Sequence, residues 1–229
     1  MARSKTSLTS SGGYERLFGG FAPVLTFAQS ASIKSGLKLE SLLWAMGHQV
    51  DDLDKFVSRN IPRPSDREDC IWLAHKKQIK SSKVFKSVDK DSHEPDFLGL
   101  DLGRRICHVI EIKAGTQYDT KKAEGEFKAL CDKTNHIARQ LPFTTKFWVC
   151  AFNSKNLTDA YDGFKRKIPT ANIILGPDLC RMLSIDYRAL QTALYGDKEE
   201  NIKLLMSKFM RTASQTYPEL LNQTMAERP

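Results

Sequence analysis

Two apolar segments that flank Gly103 and Arg104 constrain the fold of this chain more than any other feature. Residues 95–102 and 105–113 both have the composition of β-strands, and a two-residue Gly-X loop is a favoured hairpin connection. Apolar side chains fall on both faces of the resulting hairpin, which is typical of strands that are covered on both sides. We therefore predict a buried hairpin near the centre of a β-sheet.

Helical and strand-like segments surround this hairpin in the order expected of an α/β layer fold. We expect a central mixed β-sheet flanked by helices, followed by a helical C-terminal region. The predicted helices cover 34–47, 66–80, 123–141 and 154–167, and the further strands cover 83–88, 146–152 and 173–175. Residues 1–229 are predicted to form a single domain, with a core at about 66–176, an N-terminal arm at 1–33 and two or three helices in 177–215.

Two acidic side chains face each other at one end of the predicted hairpin. A loop at Gly103 and Arg104 sets a register in which Asp96 lies opposite Glu111. Opposed residues on one face have Cβ atoms about 4.5–5.5 Å apart, so the carboxylates would repel unless a cation lies between them. Lys113 follows Glu111 by two residues and shares its face. This arrangement predicts a Mg²⁺ site, because Mg²⁺ takes one or two carboxylates and keeps several waters.

Such a site could hydrolyse a phosphodiester. A bound Mg²⁺ polarises a phosphoryl oxygen and lowers the pKa of a coordinated water that can attack the phosphorus. Lys113 would stabilise the charge that develops on the phosphate, or would position and deprotonate the water. The sequence leaves these two roles of Lys113 open.

The same residues carry a family resemblance. Pro95-Asp96, fourteen intervening residues and then Glu111-Ile112-Lys113 resemble the signature of the PD-(D/E)XK nuclease superfamily. The resemblance implies that Asp96 and Glu111 bind the metal and that Lys113 completes the site. It also implies a core helix, a three-stranded meander, a helix and a further strand, which fits the order of predicted elements over 66–152.

Within that superfamily, a compact chain with no helicase or ATPase motif most resembles a type II restriction endonuclease. The resemblance implies a single nuclease domain that cuts double-stranded DNA at a specific sequence, usually as a homodimer, because a twofold enzyme can cut both strands of a palindrome. A DNA repair nuclease or Holliday junction resolvase is an alternative enzyme. A DNA-binding module of the same fold that does not cut is an alternative of another class.

Further residues near the site have more than one interpretation. Many superfamily members add an acidic residue from a preceding helix, for which Glu40 and Glu68 are the candidates. Glu40 also fits a solvated helix position, and Glu68 also fits a capping box with Ser65. Glu94, opposite Lys113 in the predicted register, is interpreted as its charge partner. His108 falls on the opposite face from Glu111 and is interpreted as structural.

The charge of the chain favours a polyanionic partner. The formal net charge is +8 and the sequence pI is about 9.2, which suits nucleic acid. Basic residues are concentrated before and after the predicted site, where they would contact phosphates. The candidate DNA-binding residues are Lys76, Lys77, Lys80, Lys83, Arg104, Lys121 and Lys122. Gln117 and Tyr118 would contact DNA or form a turn.

Cysteine usage indicates a reducing compartment. The five cysteines are odd in number and widely spread, without the close spacing of a zinc site or redox motif. An apolar stretch at 17–28 is interrupted by Gly19, Gly20 and Pro23 and is too short to span a bilayer. We therefore expect a cytoplasmic protein with no membrane partner, and the resemblance to restriction endonucleases implies that the cytoplasm is prokaryotic.

Overall fold

A computed structural model describes residues 18–60, 70–85, 94–116 and 120–218 of the chain. Within these residues, six strands form one sheet in the order β1-β2-β3-β4-β5-β6. The strands are β1 (His48–Gln49), β2 (Ile71–His75), β3 (Phe97–Asp101), β4 (Ile106–Lys113), β5 (Thr144–Ala151) and β6 (Ile173–Leu175). Strands β2, β3 and β4 form an antiparallel meander, and the other neighbours are parallel.

Helices flank this mixed sheet, which confirms the predicted fold class. They are α1 (Ala22–Met46), α2 (Leu53–Asn60), α3 (Lys76–Ser81), α4 (Thr120–Ala138), α5 (Leu157–Gly163), α6 (Gly176–Met182), α7 (Tyr187–Tyr195) and α8 (Lys198–Thr216). Short 3₁₀ turns lie at Gly19–Phe21 and Thr170–Asn172. Several predicted elements are present, although their ends differ by a few residues from those predicted. They are the helix that follows the hairpin, strands β5 and β6, and the C-terminal helices.

The predicted hairpin register is confirmed, although the turn is different. Phe97 pairs with Ile110 and Leu98 with Val109, the pairs that the sequence predicts. The connection is a four-residue turn over 102–105 rather than a Gly-X loop, and the residue with positive φ is Arg105, at 55°. The Asp101 side chain accepts a hydrogen bond from the Arg104 backbone at 2.8 Å, which stabilises the turn.

Two predictions of local structure are wrong, and a third predicted helix is longer than expected. The helix predicted over 66–80 is instead β2 followed by α3 within its described part, because a short buried apolar run fits a strand as well as a helix. The helix predicted over 34–47 begins earlier, at Ala22, with Pro23 tolerated in its first turn. Lys83–Phe85 form a turn rather than a strand, and 86–88 lie outside the described residues.

The hairpin is buried on both faces, as predicted. Leu98 and Val109 join the main core, which also contains Leu130 of α4. On the other face, Phe97 and Ile110 are buried as well. A Cβ at Gly99 would lie 2.9 Å from Cγ2 of Ile71, so a larger residue would push β2 and β3 apart.

The chain divides into two compact units. Of the described residues, those between 38 and 193 form the unit that contains the whole sheet, and 18–37 with 194–218 form the other. In the second unit Phe21 stacks on Tyr217, with ring centroids 5.5 Å apart, and contacts Phe209 at 5.3 Å. The prediction that the chain is one nuclease domain stays a prediction. No helix in the described ranges is long and apolar enough to cross a membrane.

Candidate active site

Three charged residues form a row across the strands of the meander, at the point where β2 ends and β3 begins. The β2–β3 register pairs His75 with Phe97, so the next residue along, Lys76, lies opposite Asp96. The Lys76 backbone N–H donates a hydrogen bond of 3.0 Å to the Asp96 carbonyl oxygen. The β3–β4 register, continued by one residue, places Asp96 opposite Glu111. Lys76, Asp96 and Glu111 therefore lie side by side.

Asp96 and Glu111 are both buried. Oδ2 of Asp96 accepts a hydrogen bond of 2.8 Å from the Ile112 backbone N–H, and Oδ1 lies 3.4 Å from Nζ of Lys76. Burial and the neighbouring Glu111 carboxylate raise the pKa of Asp96, against smaller opposing effects of the Ile112 hydrogen bond and the lysines. The register thus brings two like charges together in a place where water screens them poorly.

Lys113 lies on the same face as Glu111, as predicted. Its Nζ is 2.8 Å from Oε1 of Glu111 and 2.9 Å from Oε2 of Glu126, a residue of α4. Burial alone would lower the pKa of Lys113, but Glu111 and Glu126 outweigh it and hold that pKa above its ordinary value. Lys113 is therefore a protonated cation at neutral pH.

The prediction for Glu94 is wrong. Its Oε2 lies 2.6 Å from Nζ of Lys133, whereas the ion-pair partners of Lys113 are Glu111 and Glu126. Lys133 and Glu94 are both buried, and Lys133 comes from α4. Glu94 therefore fixes the start of β3 to that helix, which is a structural role.

Of the two candidates for a further acidic residue, Glu40 faces the cluster. It follows the fully buried Leu39 on α1 and is half-buried itself. Its pKa is raised to about 7 by burial and then by Asp96, with Glu111 adding to the rise and Lys76 and Lys113 opposing it. Glu68 lies outside the described residues. The interpretation of Glu40 as a solvated helix position therefore does not hold.

The carboxylates suit a hard divalent cation. Aspartate and glutamate oxygens are the ligands that Mg²⁺ prefers. A bound cation would offset the repulsion between carboxylates that, after burial, raises the pKa values of Asp96 and Glu40. In the described part of the chain, no group of three or more His, Cys, Asp or Glu residues is already arranged to hold a metal ion. Asp96, Glu111 and Glu40 therefore have the chemistry that the ion requires. In this structure the positive charge beside these carboxylates comes from Lys76 and Lys113.

The predicted basic residues divide into two groups. Lys76 belongs to the cluster itself, whereas Lys77, Lys80 and Lys83 are exposed. Arg104 lies in the hairpin turn with an exposed side chain 3.5 Å from Asp101. Lys121 and Lys122 open α4, but their side chains lie outside the described part, as do Gln117 and Tyr118.

His108 has the structural role that the sequence predicts. It is buried on the face opposite Glu111, and its Nδ1 accepts a 2.9 Å hydrogen bond from the indole N–H of Trp148. Burial lowers the pKa of His108 to about 4, so the ring is neutral at physiological pH. Cys107, Cys150 and Cys180 are buried thiols.

Sequence reasoning missed the contacts of Lys76 and Glu126. The Lys76–Asp96 pairing depends on recognising β2 as a strand, which the apolar run at 71–75 did not distinguish from a helix. Glu126 carries a usable signal, because it lies three residues after Ala123 and four before Leu130, both buried on α4. A carboxylate on the buried face of a helix calls for a partner.

Comparison with known proteins gives one relative of high coverage. No family model matches the sequence, and no solved structure matches it. The chain is 30% identical over 202 residues to the type II restriction enzyme HhaII of Haemophilus parahaemolyticus. The aligned region covers 87% of this chain and 88% of HhaII. Because the similarity extends over nearly the whole length of both proteins, the chain belongs to the family of type II restriction enzymes that includes HhaII.

Proposed function

We propose that this protein is a Mg²⁺-dependent type II restriction endonuclease of the PD-(D/E)XK superfamily, which hydrolyses double-stranded DNA at a specific sequence. The observation that carries this proposal is the row of Asp96 and Glu111 with Lys113 on the same face. The similarity to HhaII and the net charge of +8 support it independently. The substrate is duplex DNA, and the compartment is the prokaryotic cytoplasm.

In this proposal Asp96 and Glu111 hold the metal ion, and Glu40 is a further ligand or a base for the attacking water. When bound, the ion polarises the scissile phosphate and lowers the pKa of a coordinated water. Glu40 is suited to accept a proton, because its pKa of about 7 leaves it partly ionised near neutral pH. Once the cation is bound, that pKa falls and Glu40 serves better as a ligand.

Lys113 is assigned to charge stabilisation rather than to proton abstraction. Its raised pKa keeps it protonated at neutral pH, and a protonated ammonium group cannot act as a base. It is held by two carboxylates, at 2.8 and 2.9 Å, close to where the phosphate would bind. A fixed positive charge at that position stabilises the additional negative charge of the transition state.

We also propose that the protein acts as a homodimer, which would cut both strands of a palindromic site. Helix α8, in the second unit, supports this, because Ile202, Met206 and Met210 recur at every fourth residue and are exposed. Apolar residues repeated at this spacing on one helix face are typical of a contact with another protein surface.

Digestion of plasmid DNA tests the proposed function. A restriction enzyme yields discrete fragments that require Mg²⁺. Cleavage of branched DNA alone would identify a junction resolvase, and nicking at lesions alone a repair nuclease. Binding of DNA without cleavage under any divalent ion would identify a non-cutting module. Any of these three results would contradict the proposal.

A further inference from the structure

Lys76 occupies the position of a cation at Asp96. We propose that Lys76 competes with the divalent ion for Asp96, and that its ammonium group moves from this carboxylate to a DNA phosphate when the ion binds. This inference rests on the proposed function and adds to it a residue that couples metal binding to substrate binding. The sequence alone places Lys76 among the residues that contact DNA, without any connection to the metal ligands.

The backbone fixes where Lys76 starts. It is the first residue of α3 and follows β2 directly, and its N–H is bonded to the Asp96 carbonyl oxygen at 3.0 Å. The preceding residue, His75, caps the helix: its Nδ1 accepts the Lys77 N–H, and the Gln78 side chain accepts the His75 N–H. This capping box holds the root of the Lys76 side chain beside Asp96.

The two oxygens of the Asp96 carboxylate differ in what they face. Oδ2 receives the Ile112 N–H at 2.8 Å, a bond that belongs to the backbone and does not move easily. Oδ1 faces the Lys76 ammonium group at 3.4 Å. A divalent ion that binds Oδ1 would therefore meet a positive charge on a flexible side chain, and repulsion between the like charges would displace Lys76.

Lys76 is freer to move than Lys113. The Lys113 side chain is 16% exposed and contacts two carboxylates, at 2.8 and 2.9 Å. The Lys76 side chain is 31% exposed, and its contact with Asp96 is longer, at 3.4 Å. Lys76 thus lies at the open side of the cluster, where substrate would arrive. Once it leaves Asp96, the anions within its reach in the proposed complex are Glu40, whose pKa it already lowers, and a DNA phosphate.

Lys76→Met tests the first half of the inference, because methionine keeps the apolar stem and removes the charge. The measurement is calorimetric titration of the full-length protein with Mg²⁺ alone, without DNA. We expect Lys76→Met to bind Mg²⁺ roughly five- to tenfold more tightly than wild type, a coupling of ordinary size between two sites. Lys128→Met, exposed on α4 and given no role in binding, is the control and leaves the affinity unchanged. Unchanged or weaker binding by Lys76→Met would overturn the inference.

Single-turnover cleavage of plasmid DNA at saturating Mg²⁺ tests the second half. We expect Lys76→Met to cut at least tenfold more slowly despite its tighter metal binding, and Lys76→Arg to recover part of the rate. Damage to the fold would weaken Mg²⁺ binding and slow cleavage together. Tighter Mg²⁺ binding with slower cleavage therefore distinguishes the proposed role from a folding defect. Equal or faster cleavage by Lys76→Met would overturn the transfer to phosphate.

If Lys76→Met is poorly folded by circular dichroism, Lys76→Gln takes its place in both measurements, with the same expected outcomes.

Two further results separate this inference from the proposed function. If the wild-type protein binds Mg²⁺ and cuts DNA while neither variant differs from it, the role of Lys76 is refuted and the proposed function stands. If the wild-type protein does neither, both are refuted.

Discussion

Oε2 of Glu126 lies 2.9 Å from Nζ of Lys113, and this contact joins helix α4 to the end of β4. Lys113 also contacts Glu111 at 2.8 Å, so its ammonium group is held from two directions. A lysine side chain has several rotatable bonds, and one carboxylate alone would leave it a range of positions. Glu126 therefore acts as a positioning residue for Lys113 in the proposed reaction.

Removal of the Glu126 charge should slow cleavage without unfolding the protein. We expect Glu126→Gln to lower the cleavage rate at saturating DNA by roughly 10- to 100-fold, as is usual for residues that orient a functional group. The KM for DNA should change little, because Glu126 orients a charge rather than binding substrate. The control is Glu124→Gln on the same helix, whose side chain is 66% exposed against 19% for Glu126. An equal loss of rate in both variants would contradict this role.

The buried ion pair between Lys133 and Glu94 should be costly to break. The two charged atoms are 2.6 Å apart and both residues are buried. Lys133→Met leaves the Glu94 carboxylate buried without this partner, which should lower the free energy of unfolding by about 3–5 kcal/mol. Urea denaturation measures this value, and adding Glu94→Gln should recover part of it. The control is Lys128→Met, at an exposed position on α4, whose free energy of unfolding should stay within about 0.5 kcal/mol of wild type. A similarly small effect of Lys133→Met would refute the prediction.

The contribution of His108 to stability should be lost in mild acid, whereas the raised pKa of Glu40 acts in the opposite direction. Its pKa is lowered from 6.5 to about 4 in the folded protein, with burial as the largest cause. Between these two values His108 binds more protons in the unfolded chain than in the folded one, so its contribution to the free energy of unfolding decreases as the pH falls through this window. Denaturation of wild type and His108→Gln from about pH 7 to about pH 4 measures the difference. The variant should lose this part of the pH dependence. Identical profiles for wild type and His108→Gln would be inconsistent with a buried neutral ring.

The apolar face of α8 should control association of the chain. Met206 is flanked by Ile202 and Met210 on one exposed helix face, and a charge in the middle of a protein contact is strongly unfavourable. We expect Met206→Glu to shift the protein from dimer to monomer in sedimentation velocity. Leu157→Glu, which alters an exposed leucine of the sheet-containing unit, is the control and should stay dimeric. A wild-type monomer at micromolar concentration would refute the proposed homodimer.

The part of the site that could be predicted from sequence is the part that depends on strand periodicity. Side chains alternate with a period of two, so the register of the hairpin decides which residues share a face. The pairing of Phe97 with Ile110 was predicted from a loop at Gly103 and Arg104, and it is confirmed even though the turn itself is different. A two-residue loop and the observed four-residue turn lead to the same register.

The contacts that could not be predicted depend on how distant segments pack. Glu40 and Glu68 are both plausible acidic residues in the sequence, and only the packing of α1 places Glu40 near Asp96. Lys133 has no sequence feature that identifies Glu94 as its partner, because 38 residues separate them along the chain. Long-range pairs of this kind require the tertiary fold.

Cleavage of plasmid DNA by Asp96→Ala and Glu111→Ala tests the central claim most directly. Asp101→Asn is the matched control, since Asp101 is also buried and is the last residue of β3, the strand that Asp96 immediately precedes. We predict that wild type and Asp101→Asn yield the same discrete fragments with Mg²⁺, whereas Asp96→Ala and Glu111→Ala cut at least 1000-fold more slowly, a loss on the order of that for other removed electrostatic groups. Undiminished cleavage by either alanine variant would contradict the assignment of Asp96 and Glu111 as the metal ligands.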